Sequence, residues 1–106
     1  MRVLLVTAPS EAVAEGIVTA LVDEQLIACG NITMPVASIY RWQGQTERNS
    51  EVLVIMKTTE AAVSAVTRRI AELHPYEVPE VLSLPVQAGH VPYLDWVRDS
   101  VVIRRD

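Results

Sequence analysis

Between Glu51 and Lys57 the chain runs Val52-Leu53-Val54-Ile55-Met56. Successive side chains of a strand point to opposite faces, so this segment is apolar on both. A sheet built around it must be covered twice. Few arrangements of a chain this short do that alone. The 106 residues suffice for one domain, 1–106, with one helical layer over one sheet face. The composition repeats the point: half the residues are apolar and mean hydropathy is +0.24. Self-association is the economical way to cover the second face.

The other elements are read from periodicity. Val3 to Thr7 is a short apolar run closed by Ala8-Pro9, a first buried strand. Ser10 is an N-cap residue, and Val13, Ile17, Ala20 and Leu21 follow at helical spacing. Ile32 to Trp42 is read as a second strand. Ile32, Met34, Val36, Tyr40 and Trp42 share one parity, and Pro35 marks an edge or a bulge. Gln43-Gly44-Gln45 is a turn, and Glu51 to Lys57 is the third strand. Thr58 or Thr59 caps a second helix with a stripe of Val63, Val66, Ile70 and Leu73, which His74-Pro75 ends. A fourth strand spans Val81 to Val86, a short helix starts at Pro92, and Val101-Val102-Ile103 is read as a final short strand.

This β-α-β-β-α-β order predicts an α+β, ferredoxin-like fold. Its antiparallel sheet carries two helices on one face, with a short C-terminal helix and strand added. The topology puts Cys29, Asn31 and Lys57 at one pole of the sheet. His74, Tyr76, Glu77, Glu80, Tyr40, Trp42 and the Thr7-Ala8-Pro9 corner fall at the other. Cys29 and His74 are therefore expected to meet only across a subunit boundary.

Charge excludes some functions. Thirteen acids against nine bases give −4, and the basic pairs Arg68-Arg69 and Arg104-Arg105 are too short to track phosphates, so no nucleic-acid partner is expected. No stretch reaches membrane-span length, the N-terminus lacks a signal-peptide core, and the lone Cys29 cannot form an internal disulfide. A cytoplasmic protein without a membrane partner is expected. No nucleophile motif, zinc-protease motif or phosphate-binding glycine loop is present, so no enzymatic activity is expected.

The segment His74-Pro75-Tyr76-Glu77-Val78-Pro79-Glu80 is the densest polar cluster. Imidazole and carboxylates suit copper and zinc, although the spacing matches no standard metal motif and reads on residue types as a helix-to-strand loop with solvated acids and a capping histidine. Cys29 is by residue type more often a small buried hydrophobe than a ligand. Tyr40 and Trp42 could stack on a ligand or anchor an interface.

Five segments in order carry a resemblance: Ala28-Cys29-Gly30-Asn31-Ile32, Ser38 to Gly44, Glu51-Val52 through Lys57-Thr58, His74 to Glu80, and Tyr93-Leu94 with Trp96. Together they resemble the CutA divalent-cation-tolerance family, from about Thr7 to Val101. The resemblance implies a homotrimer of ferredoxin-like subunits, similar in architecture to PII signalling proteins. It also implies a response to divalent metal ions, copper above all. Carried over, the candidate metal ligands are Cys29, His74 and Glu80. Two other readings stay open. One is a PII-like signalling trimer with a small anionic metabolite in the clefts between subunits, with Tyr40, Trp42, Tyr76, Glu77 and Lys57 as the cleft residues. The other is a purely structural scaffold.

Overall fold

In a computed structural model of the chain, residues 1–103 are described. The elements follow the order β1 (Arg2–Ala8), α1 (Glu11–Asp23), β2 (Cys29–Ile32), β3 (Val36–Trp42), β4 (Gln45–Thr58), one 3₁₀ turn (Glu60–Ala62), α2 (Val63–Leu73), β5 (Val81–Pro85) and α3 (Val91–Ser100). The sheet runs β2-β4-β1-β5, all antiparallel, with β3 paired to the upstream half of β4. This is the α+β, ferredoxin-like plan.

Alternation assigns the two faces. Leu4, Val6 and Ala8 of β1 and Val52, Val54 and Met56 of β4 are buried under α1 and α2, together with Ile17, Leu21, Val66 and Ile70. The opposite parity carries Val3, Leu5, Leu53 and Ile55, flanked through the pairing by Leu82 and Leu84 of β5 and by Cys29 and Asn31 of β2. Gly30 confirms the sidedness. A Cβ there would sit 2.9 Å from both methyls of Val18 on α1, so its neighbour Cys29 points the other way. This open face is partly bare, with Leu82 54% exposed. Only α3 reaches it among the described elements, at the end where the Tyr93 hydroxyl lies 3.7 Å from Cys29 Sγ.

The helix ends have local causes. The Ser10 hydroxyl accepts from the Val13 N–H at 3.2 Å and caps α1. At its other end Gln25 takes a left-handed conformation, φ 59°. Its N–H donates to the Val22 carbonyl while that of Leu26 donates to Leu21, the paired bonds of a Schellman ending. Thr58 and Thr59 do not cap through their side chains: Thr59 makes no such bond, and the Thr58 hydroxyl donates to the Leu26 carbonyl at 2.7 Å.

Three sequence expectations are corrected. Ile32 to Trp42 is two strands, interrupted at Thr33–Pro35. Ile32 pairs with Val54 and Val36 with Glu51, so three residues on one side oppose two on the other, which is a bulge. The Thr33 hydroxyl accepts the Leu53 N–H at 3.0 Å, and proline has no N–H to pair. The polar stretch Thr46 to Ser50 belongs to β4, which forms a long arm with β3 closed by the two-residue turn Gln43-Gly44, both at positive φ. Val101–Ile103 is not a strand: Val101 packs on the core and the Val102 N–H donates to the Gln25 carbonyl at 2.9 Å instead of joining the ladder. The Arg104-Arg105 pair lies outside the described residues.

Candidate functional site

A groove of about 660 Å³ lies where the sheet hands over to the arm. β1 pairs with Val52–Thr58 and ends there, so upstream of Val52 the strand β4 has only β3 beside it. The loop after α2 closes the space that β1 vacates. Tyr40 and Trp42 of β3, Glu51 of β4, and Tyr76, Glu77 and Glu80 of the loop line the groove, with Thr7 at one end. The bulge decides this. Ile32 shares a face with Val54, whereas Val36, Ser38, Tyr40 and Trp42 share the face of Glu51.

His74 holds the loop down. It is 7% exposed. Its Nε2 lies 2.7 Å from the Thr7 carbonyl oxygen, and its Nδ1 accepts the Tyr76 N–H at 3.1 Å. A carbonyl only accepts and a backbone N–H only donates, so the ring is the neutral tautomer with its proton on Nε2. Both nitrogens are occupied, which leaves no lone pair for a metal unless a bond is given up. His74 acts here as a clamp that sets Tyr76.

Tyr76 in turn donates from its hydroxyl to Glu51 Oε2 at 2.7 Å. Burial first, and then the Glu51 carboxylate, push the phenol up to about 12. Glu51 is itself 7% exposed, and no basic side chain pairs with it among the described residues. Tyr40 accepts a hydrogen bond from Asn49 within the arm.

The other pole is different. Cys29 pairs across the ladder with Lys57, whose ammonium donates to Asn31. Contact with Cys29 and then burial hold the Tyr93 phenol above its usual 10. Lys57 therefore does not line the groove with Tyr40, Trp42, Tyr76 and Glu77. Residue Lys57 aligns with Val3 of β1, at the end opposite Thr7, as strand direction predicts, so within one chain it stands apart from the groove. Cys29, His74 and Glu80 are not gathered in one chain, and no three His, Cys, Asp or Glu side chains among the described residues stand close enough to hold a metal ion. Thr7 lines the groove at the pole where the sequence placed it, whereas Glu51 is a groove residue that sequence reading missed. The available signal was an acid abutting a five-residue apolar run.

No helix among the described residues is long and apolar enough to cross a membrane. The family model for the CutA1 divalent ion tolerance protein matches residues 2–100. The Divalent-cation tolerance protein CutA of Thermus thermophilus is 48% identical over 99 residues, covering 93% of this chain and 96% of that protein. Human Protein CutA is 48% identical over 93 residues, and the chain spans about half of its length (52%). Among solved structures, the Thermus thermophilus divalent cation tolerance protein superposes with a TM-score of 0.93 at 47% identity, covering 96% of this chain and all of that one. CutA1 from Pyrococcus horikoshii gives 0.92 at 34% identity over 97% of this chain and all of that one. Relatives named chloroplastic in rice and periplasmic in Archaeoglobus fulgidus place such proteins in more than one compartment. Matched over nearly its whole length by that family model and by these relatives, the chain belongs to the CutA1 divalent ion tolerance protein family.

Proposed function

We propose that this divalent-cation-tolerance protein works in the cytoplasm as a non-catalytic homotrimer that binds divalent metal, copper above all, where its copies meet. One observation carries the reading: the open sheet face is apolar, and it ends at β5, whose outer edge pairs with no strand among the described residues. Such an edge and face favour a second copy. Cys29 lies on that face, and Glu80 leads into β5. Only a neighbouring copy could bring a donor from one pole against a donor from the other. Cys29 and Glu80 are the ligands best placed for this, because the His74 nitrogens are occupied. The same locked imidazole offers the groove no free ring nitrogen for proton transfer, which favours binding over catalysis. An anionic metabolite fits this groove poorly, since no lysine or arginine lines it among the described residues.

Copper titration followed calorimetrically and by sedimentation tests the reading. A trimer is expected, with tight binding reduced at least about tenfold by Cys29→Ala and by Glu80→Ala. A monomeric protein, or unchanged affinity and stoichiometry in both variants, removes the proposal and leaves the scaffold reading.

A further inference from the structure

Glu51 is hard to explain as a structural acid. It is more than nine-tenths buried, where a carboxylate is costly unless paired. Its Oε2 accepts from Tyr76; Oε1 has no partner among the described residues and is open to the groove rather than sealed in the core. Around it the groove is walled by the rings of Tyr40, Trp42 and Tyr76, and two more carboxylates, Glu77 and Glu80, stand at its margin. The volume of about 660 Å³ is that of a small-molecule site. Among the described residues no lysine or arginine lines it.

A metal ion is a poor occupant, because it needs several donors converging at about 2–2.5 Å and the described residues offer no such cluster. Aromatic faces add nothing to a hydrated metal ion, but they attract a desolvated organic cation. The geometry points to a second ligand site in this groove, one that takes a small organic ammonium whose charge meets Glu51 and whose hydrocarbon body lies against Tyr40 and Trp42. The site shares with the proposed metal ligands only Glu80, at its margin; Cys29 lies at the other pole, and the charge that the ammonium meets is that of Glu51.

The chain has two tryptophans, so Trp96→Phe isolates Trp42 as a fluorescent reporter. In that background, with chelator present, the probes are benzylammonium, its neutral analogue benzyl alcohol, and benzoate. Saturable quenching by benzylammonium is expected, with affinity at least about tenfold above benzyl alcohol and no saturation by benzoate. Glu51→Gln keeps the shape and can still accept from Tyr76; it should remove about tenfold of that preference. Glu77→Gln, at an exposed position with no folding risk, should remove a smaller part. Glu15→Gln on the outer surface of α1 changes net charge equally and should change nothing. Absence of saturable binding overturns the proposal, as does benzoate or benzyl alcohol binding as tightly as benzylammonium. So does identical behaviour of all three glutamate variants. Cys29→Ala should leave benzylammonium binding intact even where it alters copper binding, so the two sites fail or stand separately.

Discussion

At the scale of single residues, two backbone positions set limits that composition does not reveal. Gln25 sits at φ 59°, where an L side chain costs roughly 1 kcal/mol that glycine avoids. Gln25→Gly should raise stability by about 0.5–1 kcal/mol, read as a higher denaturation midpoint with unchanged slope. Gly30 is the reverse case. Its missing Cβ makes room for Val18, and a valine on a helix has no flexible end to swing aside. Gly30→Ala should cost about 1–3 kcal/mol by urea denaturation. Some residue-scale facts were legible in advance. The separation of Cys29 from His74 follows from strand direction alone. The clamped state of His74 was not legible, because its partners are a backbone carbonyl in β1 and a backbone N–H two residues ahead.

At the scale of elements, the contrast lies within one segment. The turn at Gln43-Gly44 and the apolar half of β4 are plain in the sequence. The polar half, Gln45 to Ser50, carries no alternation because both of its faces meet solvent in a single copy, as Ile39 at 67% exposure does across the hairpin. The apolar triplet at Val101–Ile103 mimics a strand because packing against a core needs the same residue types as a ladder does. The loop after α2 has a pH signature. Tyr76 is raised in the folded chain, to about 12 from 10, so the fold holds that proton more tightly than the unfolded chain. Its contribution is complete below pH 10 and is lost as the pH climbs through the folded value. Wild-type protein should therefore lose stability between pH 10 and about 12, and Tyr76→Phe should flatten that part of the curve in pH-dependent thermal melts.

For the whole molecule, the principal extents of 44 × 32 × 23 Å reflect an arm projecting from a sandwich of sheet and helices. A lone two-stranded arm is marginal in water, so assembly and arm order should rise together. Leu82→Glu puts a charge on the open face without touching the core beneath the helices. It should shift sedimentation toward monomer and speed amide exchange in β3. A variant that sediments like the wild type with equally protected amides would show that this face is not where copies meet.

The bulge at Thr33–Pro35 carries a geometric liability. Deleting Met34 would straighten the edge and leave Tyr40 and Trp42 on the Glu51 side, because the tight turn still ties them to β4. Inserting one residue after Ser50 would balance the count equally well, yet it would rotate the arm half a revolution about its length. The two rings would then look toward the helical layer, and the groove would lose a wall although no side chain had been altered.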